Sequence, residues 1–196
     1  MSEPYLLVVY YSTTGGTANL ARHVARGARE KGLEVRLRTV PPVSNATERT
    51  QPPVPEEGAV YCTKADLEGC AALALGSATR YGNMAPALAY LFESNVDLWM
   101  NRALEGKPAG VFCSSGSMHG GQESTLLTMM VPLLHHGMVL TGVPYSTPAM
   151  HGNVTGGTPY GPSHYGSPGP EVDASEREIA AALGARLAHL TQRLAD

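Results

Sequence analysis

A short turn near the start of the chain combines hydroxyl groups with glycines. An apolar run over residues 5–11 leads into Ser12-Thr13-Thr14-Gly15-Gly16-Thr17, and a helical pattern over residues 18–31 follows. A buried strand, a turn of small residues and a helix start in succession can direct several N–H groups and hydroxyls at one anion. The turn therefore predicts a phosphate site, and the alternative is an ordinary turn rich in helix-capping residues.

The predicted phosphate site carries no positive charge, because the first Lys or Arg of the chain is Arg22. A nucleoside triphosphate loop would require G-x-x-x-x-G-K-[ST], whose lysine reaches the outer phosphates. A dinucleotide fold would require G-x-G-x-x-G, which Gly15-Gly16 does not match. A neutral turn of this kind instead suits one terminal phosphate, such as that of flavin mononucleotide (FMN).

Length and composition narrow the classes of protein to which the chain could belong. The chain has 196 residues, a formal net charge of −3 and three cysteines without a C-x-x-C pair. We expect one domain over residues 1–196, with buried and inert thiols. The charge argues against a nucleic-acid partner, and no apolar stretch approaches the roughly twenty residues of a membrane span. Residues 1–4 lack the basic start of a signal peptide, so we expect a cytoplasmic protein.

Apolar runs alternate with helical patterns along the chain, which predicts a parallel sheet covered by helices on both faces. The predicted strands lie at about residues 5–11, 35–39, 71–76, 107–113 and 138–143. Two segments without either period, residues 41–60 and 146–170, are predicted as long loops. With the phosphate turn after the first strand, this pattern predicts a flavodoxin-like α/β three-layer sandwich. Its five-stranded sheet should have the order 2-1-3-4-5.

Two further signals concern helices. Pro132 should kink or split the helical pattern over residues 123–136. The sequence from Ser175 to Glu178 predicts a capping box that opens the last helix.

Two more loops should lie at the same edge of the sheet as the phosphate turn, because ligands of open α/β sheets bind outside the carboxyl ends of the strands. These are the loops over residues 76–84 and 114–122, which mix glycines, small hydroxyls and one aromatic or imidazole group. Such loops suit a flat isoalloxazine ring. Arg80 would favour its reduced, anionic form, unless Arg80 pairs with a surface carboxylate.

Four motifs make the pattern specific. They are GSATRYGNM at residues 76–84, GGQE at 120–123, HHGM at 135–138 and GGTPYG at 156–161. Together they resemble the WrbA family of FMN-dependent NAD(P)H:quinone oxidoreductases, in order and over nearly the whole chain. The resemblance implies a flavodoxin-like fold and FMN as the cofactor, with NADH or NADPH as the hydride donor. It also implies two-electron reduction of quinones by a ping-pong route, in a homotetramer with flavin sites at subunit junctions.

The resemblance also assigns residues. It places the FMN phosphate at residues 12–17. It places the ring and ribityl chain against Thr79, Arg80, Tyr81 and Asn83. It places the pyrimidine side of the ring against Ser114, Ser115, Gly116, Ser117, Met118, His119 and Gly120. Tyr81, Trp99 and His136 would form the substrate slot, with His136 reaching the flavin of a neighbouring subunit. No side chain acts as a nucleophile, because the hydride passes through the flavin.

Two positions depart from the family pattern. Thr14 stands where family members often carry an aromatic that helps to bind the nicotinamide nucleotide. The loop over residues 114–121 is one residue longer than usual, with Met118-His119 in place of small residues.

Other interpretations remain open. The chain could be an electron carrier of the flavodoxin type or a non-enzymatic regulatory binding protein, and Trp99 could be an ordinary core residue. The neighbouring His135 and His136 would point about 100° apart on a helix, so we predict no metal site there.

Overall fold

The strands of this protein form one parallel sheet, with helices on both of its faces. The computed structural model describes residues 3–43, 55–56, 58–152, 154–167 and 169–194. The strands are β1 (Tyr5–Tyr11), β2 (Glu34–Thr39), β3 (Ala72–Ala78), β4 (Pro108–Ser115), β5 (Val139–Leu140) and β6 (Ser163–Tyr165). The helices are α1 (Gly16–Arg29), α2 (Lys64–Gly69), α3 (Pro86–Glu93), α4 (Asp97–Met100), α5 (Gln122–His135) and α6 (Ala174–Leu194).

The strand order is β2-β1-β3-β4-β5, which confirms the predicted flavodoxin-like topology. The prediction of five strands is wrong, because the described residues include a sixth. β5 pairs with the start of β4 at Pro108 and Ala109, and β6 pairs with its end at Cys113–Ser115. Because β3 occupies the other edge of β4, two short strands share the fifth position. β6 lies inside the segment predicted as a loop over residues 146–170, and three residues are too few to show an alternating pattern.

The sheet is buried on both faces, and its central strands are apolar except for Ser77, Ser114 and Ser115 near their carboxyl ends. Leu7 and Val9 of β1 pack under α3 and α5, whereas Leu6 and Val8 pack under α1 and α6. A parallel sheet requires this double cover, since its crossover helices lie on its faces. The arrangement leaves the carboxyl ends of β1, β3 and β4 side by side at one edge.

Several helix ends differ from their predicted positions. α1 begins at Gly16, two residues earlier than expected, so the helix starts inside the glycine turn. α5 runs through Pro132 as one helix and is not split. The capping box of α6 joins Asp173 and Glu176, not Ser175 and Glu178. The Glu176 amide donates to Asp173 Oδ1 at 2.8 Å, and the Asp173 amide donates to Glu176 Oε2 at 3.0 Å.

The cysteines behave as expected of unreactive thiols. Cys70 and Cys113 are buried and Cys62 is partly buried. Burial raises the pKa of Cys70 to about 11 and that of Cys113 to about 12. None of the helices described here is both long and apolar enough to span a membrane. Most of the predicted loop over residues 41–60, namely 44–54 and 57, lies outside the described residues.

Candidate functional site

A cavity of about 280 Å³ opens at the carboxyl ends of β1, β3 and β4. Eight predicted site residues line it, namely Thr13, Thr14, Gly16, Thr79, Arg80, Ser114, Ser115 and Gly116. Five further lining residues were not predicted, namely Ala78, His164, Gly166, Gly169 and Pro170. The three predicted loops therefore meet in one place, and the segment after β6 closes the fourth side. No carboxylate is among these lining residues.

The first wall is the glycine turn between β1 and α1. Gly15 adopts a left-handed conformation with φ 95°, and its amide donates to Ser12 Oγ at 3.2 Å. Thr17 is buried, and its hydroxyl bonds the hydroxyl of Ser114 at 2.7 Å. Ser12, Gly15 and Thr17 thus brace the turn and do not line the cavity. Thr13 and Thr14 are exposed and face the cavity with hydroxyls available to a ligand.

The second wall is the loop after β3. The Thr79 amide donates to the Ser114 carbonyl at 2.8 Å, and Arg80 and Asn83 exchange two backbone hydrogen bonds. This tight turn holds Tyr81 in a left-handed conformation, φ 51°, with a fully exposed ring. Arg80 donates to the Thr79 carbonyl at 2.9 Å and makes no ion pair with any carboxylate of the described residues. Arg80 lines the cavity, whereas Tyr81 and Asn83 lie outside it.

The third wall is the loop after β4, and a buried amide fixes it. Gln122 donates to Ser115 Oγ at 2.8 Å and accepts from Ser163 Oγ at 2.6 Å. The Ser115 hydroxyl donates on to the Ser117 carbonyl at 2.7 Å, and the Gly157 amide donates to Ser163 Oγ at 2.7 Å. Two of the motifs, GGQE and GGTPYG, therefore meet in one hydrogen-bond network behind the cavity.

The tip of this third loop points elsewhere. Ser117, Met118 and His119 are exposed, and none of them lines the cavity. Gly120 also lies outside it, and its amide donates to the Ser117 carbonyl at 3.1 Å. The predicted contacts of these four residues with a ring stay predictions.

The fourth wall contains His164, which sequence reasoning missed. This histidine is only 2 % exposed, its Nδ1 lies 2.9 Å from Glu176 Oε2, and its Nε2 lies 3.0 Å from the Gly169 carbonyl oxygen. Burial lowers the pKa of His164, but the hydrogen bond and charge of Glu176 outweigh it, so the pKa lies above its ordinary value. A single histidine in a Gly- and Pro-rich segment gives no sequence signal of a partner twelve residues away.

Trp99 and His136 lie away from this cavity within one chain. They line two other cavities, of about 510 and 530 Å³, on the outer side of α4 and α5. Trp99 is 53 % exposed, so it is not a core residue. The His136 ring lies 5.5 Å from that of Phe92, and its buried Nδ1 has no hydrogen-bond partner among the described residues. Burial, and then the neighbouring His135, lowers the pKa of His136.

Comparisons with solved structures agree with this fold. The chain is similar to a flavodoxin, WrbA-like protein from Agrobacterium tumefaciens, with a TM-score of 0.69 and 20% identity over 97% of this chain and 99% of that one. It is also similar to an archaeal flavodoxin, with a TM-score of 0.64 and 18% identity over 96% and 99% of the two chains. At these identities the likeness shows the fold alone.

Comparisons of sequence go further. The chain is 37% identical to a protein named NAD(P)H dehydrogenase (quinone) from Solidesulfovibrio magneticus, over 96% of this chain and 98% of the relative. A protein of the same name from Gluconacetobacter diazotrophicus is 37% identical with the same coverage. The NADPH-dependent FMN reductase family matches residues 5–156. The predicted cofactors, FMN and NAD(P)H, and the prediction of an enzyme are confirmed at the level of this family. The chain belongs to the NADPH-dependent FMN reductase family.

Proposed function

We propose that the chain is a quinone reductase of the WrbA type, which holds FMN in the cavity at the carboxyl edge of the sheet. NAD(P)H and quinone would bind in turn, in a ping-pong cycle. The observation that carries the proposal is a cavity that ends on the start of α1 and has hydroxyls and amides, but no carboxylate, in its lining. Two relatives at 37% identity that are named NAD(P)H dehydrogenase (quinone) support the substrate class.

The residues present fit a flavin monophosphate. Thr13 and Thr14 offer hydroxyls at the cavity, and the first turn of α1 offers N–H groups and the positive end of the helix dipole. A side chain at Gly16 is excluded, because an added Cβ would lie 2.6 Å from His164 Cδ2. The space beside the Gly16 Cα is therefore taken by the His164 ring, which packs against the start of α1. Because α1 begins at Gly16, this end of the cavity suits a terminal phosphate better than a pyrophosphate with an adenosine beyond it.

The protein's own role is to bind, orient and exclude water. When bound, FMN supplies hydride acceptance and two-electron transfer, so no side chain needs to act as a nucleophile. Arg80, which lines the cavity and has no carboxylate partner among the described residues, would supply positive charge to stabilise an anionic ligand there. The exposed ring of Tyr81 would limit access to one side of the substrate slot.

The substrate slot would be completed by a second subunit of a homotetramer. Large apolar side chains are exposed on neighbouring parts of α4, α5 and their flanks, namely Val96, Trp99, Met100, Leu127, Val131 and Leu134. We call these six residues the α4–α5 face. Apolar patches of this kind mark interaction sites on soluble proteins. Its cavities contain Trp99 and His136, the two residues that the proposed slot needs from across an interface.

The test is the visible spectrum of the purified protein, followed by steady-state kinetics with NADH and benzoquinone. We expect a bound flavin that is released as FMN, bleaching by NADH without oxygen, and parallel double-reciprocal lines. A flavin-containing protein with negligible quinone turnover would instead favour an electron carrier. A protein that takes up no flavin would overturn the proposal and leave a regulatory binding role.

A further inference from the structure

The proposed phosphate end of the cavity has no lysine or arginine of its own. Arg80 is the permanent cation among the lining residues described, and it belongs to the loop after β3. A phosphate monoester carries up to two negative charges near neutral pH, so a positive charge close to it would add to the hydrogen bonds of the neutral turn. The nearest candidate at the glycine turn is His164, whose ring lies against Gly16.

The two ring nitrogens of His164 both face hydrogen-bond acceptors. Its Nε2 faces the Gly169 carbonyl, which can only accept, so Nε2 carries a proton. Its Nδ1 faces Glu176 Oε2, which also accepts from the Asp173 amide, while Glu176 Oε1 accepts from the Tyr165 amide. Because Oε2 already accepts from a backbone amide, it acts as an acceptor toward Nδ1 as well, so Nδ1 also donates. Both ring nitrogens of His164 thus face acceptors, which is the hydrogen-bond environment of an imidazolium.

The buried pair is oriented toward the cavity. His164 lines the cavity, whereas Glu176 lies behind it on α6 and is not a lining residue. Both side chains are 2 % exposed, so solvent screens their field little. The positive end of the pair therefore points to the glycine turn, and the negative end points to the first turn of α6. Asp173, which also lies at the start of α6, is a further negative group that raises the pKa of His164.

We propose that His164, held as an imidazolium between Glu176 and the Gly169 carbonyl, is a specificity-determining residue that favours a phosphorylated flavin over an unphosphorylated one. The inference rests on the proposed function, because it assumes that a flavin occupies the cavity. It adds a role for β6, which places His164 beside the glycine turn, where His164 also contacts Glu176 of α6.

The test compares FMN with riboflavin, which has the same ring and ribityl chain but no phosphate. Binding of each ligand to the flavin-free full-length chain is measured by quenching of flavin fluorescence at pH 7.5. In His164→Gln and Glu176→Gln we expect the affinity for FMN to fall about tenfold, roughly the effect of losing one positive charge close to the phosphate. The affinity for riboflavin should change less than about twofold. The matched control is His189→Gln. His189 is an exposed histidine on α6, about 20 Å along the helix from Glu176.

A second measurement does not depend on any variant remaining folded. Histidine ring ¹⁵N–¹H spectra of the flavin-free wild-type protein at pH 7 should show a proton on both nitrogens of His164. A ring with one protonated nitrogen would overturn the inference. Equal losses of FMN and riboflavin affinity in His164→Gln would also overturn it, since they indicate a packing role. A wild-type protein that binds neither ligand would overturn the proposed function as well.

Discussion

At the scale of single residues, the hydroxyls of the glycine turn divide into two kinds. The Thr17 hydroxyl is buried and bonded to Ser114, whereas that of Thr13 faces the cavity. We predict that Thr17→Val destabilises the flavin-free protein by about 1 kcal/mol, because the Ser114 hydroxyl loses its partner. Thr13→Val should leave this stability unchanged and weaken FMN binding about fivefold. Urea unfolding and FMN titration of both variants check the distinction, and the reverse pattern would contradict it.

The second prediction concerns the pH dependence of stability, and it follows from the raised pKa of the buried His164. The pKa of His164 in the folded protein lies above the ordinary 6.5, so the folded state binds the proton more tightly than the unfolded state. The stabilisation is fully present below about pH 6.5 and is lost as the pH rises through the folded pKa.

Urea unfolding of the flavin-free protein from pH 6 to pH 10 measures this effect. The difference in unfolding free energy between wild type and His164→Gln should shrink as the pH rises. The control His189→Gln should follow the wild-type curve. A difference that stays constant or grows with pH would show that His164 is neutral in the folded state.

At the scale of elements, Gln122 connects β4, α5 and β6 behind the cavity. It is 3 % exposed, and its amide satisfies the hydroxyls of Ser115 and Ser163. We predict that Gln122→Leu lowers the free energy of unfolding by about 2–4 kcal/mol, because it leaves buried polar groups without partners. The matched control is Gln192→Leu on the exposed end of α6, which should cost less than about 1 kcal/mol. Equal losses in chemical denaturation would contradict the structural role of the network.

The elements also show what a sequence can and cannot predict. The order of strands and the turn before α1 follow from apolar runs and a local glycine signal, so both were predictable. β6 was not, since its three residues are fixed by pairing with β4 and by the Ser163 hydroxyl bond. The capping box was misplaced because Ser175 and Asp173 both suit an N-cap, and only the tertiary position of Glu176 selects Asp173.

At the scale of the whole molecule, the predicted site residues fall into two groups. The loops that meet at the carboxyl edge of the sheet were predictable, because parallel topology brings strand ends together. His164 was not, since its partner lies on another element. Trp99, which belongs to the α4–α5 face, and His136 line other cavities and not the one at the carboxyl edge. Their proposed role therefore depends on assembly.

The last prediction concerns the assembly of subunits through the α4–α5 face. Val131 is 53 % exposed in the α4–α5 face, and Val43 is 58 % exposed beyond the end of β2. A charge buried in an apolar interface is strongly unfavourable, whereas a charge on an open surface costs little. We predict that Val131→Asp dissociates the proposed tetramer and lowers quinone turnover about tenfold or more, with Tyr81 and the cavity intact. Val43→Asp should do neither. Light scattering and steady-state rates at matched protein concentration check this.

Dilution of the wild-type protein should lower its specific activity in the same way, and added FMN should partly restore it by mass action. Full turnover in a monomeric Val131→Asp protein would show that one chain carries the complete site, and it would contradict the proposed substrate-binding role of Trp99 and His136.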